Sequence, residues 1–451
     1  MELDIVGLVG ACSYALDCIE AELVHVTNRH GKRVAYISVC MAERLGIEGS
    51  ALQDLAICAM LHDNALTQYI SEEIQENNIS NISLGGSTQG DKNTVVEGGG
   101  MFNESEDIIS ENGVAYSPEI IKSIVGSIHK KIGLHCTYGE QNIKKLPFYT
   151  DVSGAVLYHH ENADGTGTFG KRWDEIPLFA RIIHLCDMVD VMGNSCDFSG
   201  ESWIRAKEYV CRNRNILFDS ECADAFLEVF SEENFVSMSQ DRFEDELWKK
   251  IPRDKRDCDF ETCKGIADFF AGIVDYKSEF TGKHSLGVAK KAAELAEYMG
   301  YSQADIEKFY MAGALHDIGK MAIGNEILEK PGRLTDEEFS RMKNHAGYTY
   351  MILSEVKDFD EVRDWAALHH EKLDGTGYPF GKKAEELNEP ERLMACVDIY
   401  QALTEARPYK SGMSHDKACS ILGDMVQKGW IDAAVTDKLR SCFEVGGRDM
   451  V

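Results

Sequence analysis

Ten of the fourteen histidines in this 451-residue chain fall into two sets with nearly the same spacing, each accompanied by two aspartates. The second half carries, in order, His284, His316-Asp317, His345, His369-His370 and Asp398; the first half carries His30, His62-Asp63, His135, His159-His160 and Asp187. From the lone histidine to the His-Asp pair is 32 residues in both sets, and from the next histidine to the His-His pair is 24 in both. From the His-His pair to the last aspartate is 29 residues in one and 28 in the other. Neutral imidazole together with carboxylate is the ligand set of hydrolytic metals such as Mn, Fe and Zn. A lone histidine on a helix is most often structural, but five histidines and two aspartates repeated at fixed spacing point to metal. Hydrolysing a phosphodiester requires a nucleophile made near neutral pH and a clamp on the charge growing at phosphorus, which two metals about 3.5 to 4 Å apart can supply together. Seven side chains suffice for two such ions, with one carboxylate bridging.

One interval departs from the repeat: His62 to His135 spans 73 residues where His316 to His345 spans 29. The excess lies mainly in residues 71–117, rich in Gly, Asn, Ser and Glu, which reads as a loop insertion. Elsewhere the copies agree in local sequence, as in His159-His-Glu-Asn-Ala-Asp-Gly-Thr-Gly167 against His369-His-Glu-Lys-Leu-Asp-Gly-Thr-Gly377. The elements that must position these residues are helical, because apolar residues recur at three and four spacing in 288–299, 306–315 and 417–425. Strand-like alternation is scarce. The apolar run 5–11 reads as the start of a first amphipathic helix, and the charged stretch 240–259, with Pro252, reads as a linker. These signs predict an all-α fold of two tandem helical bundles, residues 1–250 and 259–451.

A net charge of −29 without a long Lys/Arg cluster argues against long nucleic acid as a partner. A small anion remains compatible, since bound metal and a few local cations can invert the field inside a cleft. No run of 18 or more apolar residues is present, so no membrane span is expected. The fourteen cysteines lack CxxC spacing, and several, such as Cys58, Cys186 and Cys396, sit in apolar helical patterns. Buried free thiols in a reducing cytoplasm account for them.

His316-Asp317-Ile-Gly-Lys320 together with His369-His370-Glu-Lys-Leu-Asp-Gly-Thr-Gly-Tyr-Pro379 resembles the HD-GYP family, a branch of the HD metal phosphohydrolases. The resemblance covers residues 259–442 with specific motifs and most of 1–248 in weakened form. It implies an all-α HD-type fold in each copy, a centre of two or three metals, and cleavage of cyclic di-GMP or a related cyclic dinucleotide. Carried over by position, it makes His284, His316, Asp317 and Asp398 ligands of one ion and His345, His369 and His370 ligands of a second, with Asp317 shared. It gives Lys320 to the scissile phosphate, Arg407 and Lys410 to the phosphates and bases, and Tyr378 to the substrate pocket. Asp374, Gly375, Gly377, Tyr378 and Pro379 become a loop that lines that pocket. Members with three metals carry Glu four residues before the first histidine, where this chain has Phe280, so two divalent ions are expected, Fe or Mn ahead of Zn, Ni, Co or Mg.

The first copy keeps every corresponding ligand, His30, His62, Asp63, His135, His159, His160 and Asp187, but loses the cations. Leu66 stands for Lys320, Cys196 for Arg407 and Ser199 for Lys410, and Gly-Tyr-Pro becomes Gly167-Thr-Phe169. A degenerate copy is expected, holding metal but hydrolysing poorly, and contacting its twin within the chain. The resemblance orders the substrates with cyclic di-GMP, commoner in the family, before 3′,3′-cyclic GMP-AMP. Two other readings stand beside it: an HD phosphohydrolase of mononucleotides or other phosphate esters, and a non-catalytic signalling scaffold with a homodimer or protein partner.

Overall fold

The computed structural model describes residues 1–23, 29–65, 132–194, 198–240, 242–277, 284–328, 330, 332–406 and 411–445. The expected insertion at 71–117, and Leu66, Cys196, Phe280, Arg407 and Lys410, lie outside the described residues. The regular structure of the described residues is helical apart from one antiparallel pairing of two-residue strands, in which Glu2 and Leu3 meet Asp257 and Arg256, and two isolated bridges. The all-α expectation holds.

Two compact units emerge, one of residues 20–144 and 148–252, the other of 1–19, 145–147 and 253–451. The division near residue 252 lies inside the stretch read as a linker, but the first nineteen residues group with the second half. Their helix, Ile5–Leu23, is not the amphipathic element expected. Between Ile5 and Asp17 every side chain is buried except half-buried Tyr14, and Asp17 itself is 1 % exposed. A helix apolar on all sides seeks the interior. Asp4 caps it, accepting from the Gly7 amide at 2.7 Å, and is paired with Arg253.

In the unit of 20–144 and 148–252, the helix His30–Ala42 is central: every position but Cys40 is buried. It packs on the helices Ser50–Met60, Leu178–Asn194 and Arg242–Lys250. The last of these corrects the linker reading. Its charges lie on one side, while Phe243 and Leu247, four apart, are buried at 1 % and 0 % exposure. A mean over the window hides such a face; the periodicity shows it.

In the other unit, the helices His284–Tyr298 and Gln303–Leu315 form the most extensive pair, flanked by Phe260–Lys277, Asp360–Ala367 and Glu389–Thr404. Helix starts are locally encoded. Ser302 caps Gln303–Leu315, Thr335 and Glu338 form a reciprocal cap on Asp336–Ser354, and Asn388 and Glu391 do the same on Glu389–Thr404. These caps set where the helices that lead to His316 and carry His345 and Asp398 begin.

If Arg242–Lys250 belongs to the core of its unit, Leu247→Ala should cost about 2–5 kcal/mol in urea unfolding. A flexible linker would tolerate the change within about 0.5 kcal/mol.

Candidate metal centre

Three of the second unit's ligand candidates are placed by helix ends, His284 opening its helix and His316 and Asp317 following the last turn of Gln303–Leu315, while Asp398 sits within Glu389–Thr404. His345 lies inside Asp336–Ser354, and His369-His370 directly after Asp360–Ala367. The sequence brings them together as expected. Ring centroids are 5.4 Å apart for His284 and His316, 4.8 Å for His316 and His369, 5.1 Å for His345 and His370, and 4.0 Å for His369 and His370.

Three imidazoles are aimed by one local device. Nδ1 of His316 lies 2.7 Å from the Gly313 carbonyl, Nδ1 of His345 2.7 Å from that of Met342, and Nδ1 of His369 2.6 Å from that of Ala366, always three residues back. A carbonyl can only accept, so each Nδ1 carries the proton and each neutral ring keeps its lone pair on Nε2. All three Nε2 atoms are buried and unpartnered, as is Asp317 Oδ1. Lone pairs left without a donor in a buried pocket are costly unless something positive meets them.

Asp317 stands between the two groups. Its Oδ2 is 3.2 Å from His316 Nε2 and its Oδ1 3.5 Å from His345 Nε2, so one carboxylate faces both. Asp398 Oδ1 is 3.1 Å from His284 Nε2 and 3.8 Å from His316 Nε2. Ligand atoms of His284, His316 and Asp398 form one cluster, those of His316, Asp317 and His369 another, and those of His345, His369 and His370 a third, each within 4.8 Å. Burial by itself would raise the Asp317 carboxyl, but His316 and Lys320 hold it well below the carboxylate range. Burial likewise opposes ionisation of Asp398, and the hydrogen bond from His284 overcomes it. Burial pushes His345 down to about 3 and His369 well below the histidine range. At His345 and His369 the pocket thus joins neutral imidazoles to ionised carboxylates, the state in which both bind metal.

Lys320 lies in a 3₁₀ turn, Ile318–Ala322, rather than an α-turn, and its ammonium sits on Asp317 Oδ2 at the edge of the cluster. Gly319 lets this turn press against the His345 helix: a Cβ there would lie 2.0 Å from the His345 carbonyl oxygen. Thr349 completes the joint, donating to the His316 carbonyl and accepting from the Gly319 amide. The Tyr378 ring lies 4.7 Å from that of His370 and 6.3 Å from that of His345, walling the pocket. Its loop is held by Glu371, whose carboxylate accepts from the amides of Phe380, Gly381 and Lys382. Gly377 fits only as glycine, since a Cβ would lie 2.5 Å from Glu371 Cα.

The first copy repeats this design. His62 Nδ1 is 2.8 Å from the Ala59 carbonyl and His159 Nδ1 2.5 Å from that of Val156, leaving their Nε2 atoms buried and unpartnered. Asp63 Oδ1 is 2.8 Å from His135 Nε2 and 3.5 Å from His159 Nε2, and Asp187 Oδ1 is 3.3 Å from His30 Nε2. The His160 ring lies 4.0 Å from that of His159, tilted against it. Burial disfavours charge on His159, yet Cys136 and Asp63 draw a proton onto it well above the usual histidine range. Glu161 anchors the following loop as Glu371 does, accepting from Phe169 and Lys171 amides at 2.6 Å. Ser199, at the position of Lys410, uses its oxygen to cap the helix Gly200–Arg212.

Several contributors escaped the sequence reading. His30 Nδ1 is met at 2.8 Å by buried Asp190, itself held by Arg33 at 2.6 and 2.9 Å. By the repeat spacing Asp190 corresponds to Gln401 and Arg33 to Gly287, and there His284 Nδ1 is met instead by Glu405 at 3.1 Å. Burial opposes charge on His284, but Asp398 and Glu405 raise it to about 9. Glu161 and Glu371 were visible in the shared His-His-Glu string; nothing in the sequence marked Glu405.

A family model described as HD domain matches residues 127–212 and 268–435. The chain is 31 % identical to 3′3′-cGAMP-specific phosphodiesterase 1 of Vibrio cholerae over 340 residues, 73 % of this chain and 78 % of that protein. It is 40 % identical to a cyclic di-GMP phosphodiesterase of the same organism over 167 residues, 34 % of each chain. A crystal structure of a cyclic GMP-AMP-specific phosphodiesterase of Vibrio cholerae has the same fold, with a TM-score of 0.63 at 23 % identity, covering 99 % of this chain and 98 % of that one. Among the described residues no helix is long and apolar enough to cross a membrane.

The histidine states predict a pH dependence in metal-free protein. Between about pH 3 and 6.5 the unfolded chain binds a proton at residue 345 that the folded chain refuses, so this group makes stability rise with pH across that window and adds nothing above it. His284 acts oppositely: its contribution is complete below pH 6.5 and fades as the pH passes about 9. Urea unfolding of His345→Gln should therefore show a shallower rise between pH 4 and 6.5 than the parent; parallel curves would refute a buried neutral His345. With motif, fold and paired histidine–aspartate pockets in agreement, the chain belongs to the HD domain family of metal-dependent phosphohydrolases, in its HD-GYP branch.

Proposed function

We propose that the unit containing residues 253–451 hydrolyses a cyclic dinucleotide, opening the ring to a linear dinucleotide, at a centre of two divalent ions. The observation that carries this reading is the set of buried, unpartnered Nε2 atoms of His316, His345 and His369 converging with Asp317 Oδ1. His284, His316, Asp317 and Asp398 hold one ion and His345, His369 and His370 the other, with Asp317 shared; Fe or Mn fits this imidazole-rich set. Such ions supply Lewis acidity and a nucleophile at neutral pH. The chain's own residues do the rest. Lys320, already in ion pair with Asp317, is positioned to offset charge developing on a phosphoryl group beside it. Tyr378 closes one wall, and Arg407 and Lys410 take the substrate phosphates and bases.

The relative matching across both halves of the chain is named for 3′3′-cGAMP, whereas the cyclic di-GMP relative matches over a third. That favours 3′,3′-cyclic GMP-AMP over cyclic di-GMP, reversing the order taken from family frequency. The first unit, in this reading, holds metal without turning over substrate. Its Asp63 pocket is assembled, but Ser199 spends its oxygen on a helix cap where the second copy offers Lys410.

Anaerobically purified full chain, loaded with Mn or Fe and given both cyclic dinucleotides, should linearise 3′,3′-cyclic GMP-AMP faster, read by chromatography. Asp317→Ala should abolish turnover, and Lys320→Ala should slow kcat by about 10²–10³, as for other electrostatic donors. Asp63→Ala should leave kcat within a few-fold. Equal loss of kcat in Asp63→Ala and Asp317→Ala, with both proteins folded, would overturn the division of labour.

A further inference from the structure

Among the paired pockets, one side chain breaks the repeat in a chemically pointed way. Cys136 follows His135, where the second unit has Ala346 after His345. Cys136 is wholly buried, and its thiolate-forming sulfur shares a cluster with ligand atoms of His135, His159 and His160, all within 4.8 Å of one another. Its Sγ lies 4.0 Å from His159 Nδ1. His135 is 4 % exposed, yet both its ring nitrogens lack a hydrogen-bond partner, Nε2 standing 2.8 Å from Asp63 Oδ1 outside hydrogen-bond geometry. His159 Nε2 is likewise buried and unpartnered.

We infer that Cys136, His135, His159 and His160 bind one metal ion together, making the first unit a closed thiolate–imidazole site suited to Zn(II) rather than an open hydrolytic one. This rests on the reading that the first unit holds metal at all. One sulfur and three nitrogens satisfy the tetrahedral shell of zinc, with bonds of about 2.0 to 2.3 Å and ligand atoms roughly 3.5 Å apart, a modest contraction of the observed cluster. A soft thiolate shifts preference toward Zn and away from the ions an imidazole–carboxylate pocket accepts. Four protein ligands leave no position for water or a phosphoryl oxygen, which is how structural zinc sites differ from catalytic ones. Binding expels the thiol proton, as metal coordination of cysteine requires. The second unit has Ala346 there, so its three imidazoles share Asp317 and meet no thiolate at that position. The cysteine-for-alanine difference thus adds a soft ligand to a unit that also lacks the cations expected to hold substrate.

The test uses the full chain, freed of metal and refilled with Co(II) under argon, whose thiolate bonds give a near-ultraviolet charge-transfer band that imidazole and carboxylate bonds lack. Parent protein should show this band, and Cys136→Ala, which installs the residue the second unit already accommodates, should lose it while remaining folded by circular dichroism. Zinc per chain, measured by mass spectrometry, should be lost from the same variant at a lower chelator concentration than from the parent. A parent protein without the band, or a band that survives in Cys136→Ala, overturns the cysteine assignment; if His135→Ala still loses metal, the first-unit metal reading stands without it. Metal content unchanged in both His135→Ala and Asp63→Ala would sink the two readings together.

Discussion

An imidazole whose Nδ1 donates to the carbonyl three residues back has its lone pair fixed on Nε2, and everything else in these pockets follows from where that lone pair points. His316, His345 and His369 obey this constraint, as do His62 and His159 in the first copy. The bond is local, formed inside a helix or just past its end, so tautomer and ring direction are set before any long-range packing. Packing then decides whether the lone pairs meet. Gly319 and Thr349 join the His316–Asp317 turn to the His345 helix closely enough that Asp317 faces both groups. The Nε2 atoms of His316, His345 and His369 face buried space without a partner, and a cation is the counterpart that would satisfy them.

Electrostatics runs the same way at a larger scale. A chain of net charge −29 has no general attraction for an anionic substrate, so attraction must be built locally. In the second unit Asp317 and Asp398 stay ionised despite burial, and Lys320 sits at the pocket's edge. The copies differ most in what stands behind the first histidine. His30 leans on Asp190, whose charge Arg33 neutralises in the interior, whereas His284 leans on Glu405, two residues before Arg407. The first arrangement is sealed and self-balanced. The second leaves a carboxylate next to the segment expected to meet substrate.

Much of the site was legible in the sequence, because metal chemistry restricts residue type and the two histidine sets share their spacing. All seven ligand candidates of the second unit converge, as do the seven of the first. The helices were legible where apolar period and capping residues coincided, as at Ser302 and Thr335. Two elements misled. The stretch 240–259 is rich in charge, yet Phe243 and Leu247 give it a buried face, and residues 5–17 of the first helix are buried nearly all round and group with residues 253–451. Glu405 and Cys136 stayed hidden for another reason. Their importance lies in which imidazole they meet across the fold, and that is a tertiary fact.

The account stands on cations meeting the Nε2 lone pairs. Anomalous diffraction from crystals of Mn-loaded protein, collected on either side of the manganese edge, would test this directly. The prediction is two peaks in the second unit, one bounded by His284, His316 and Asp398 and one by His345, His369 and His370, with Asp317 reaching both. A map without anomalous density among those side chains, in crystals whose bulk manganese is confirmed, would contradict it.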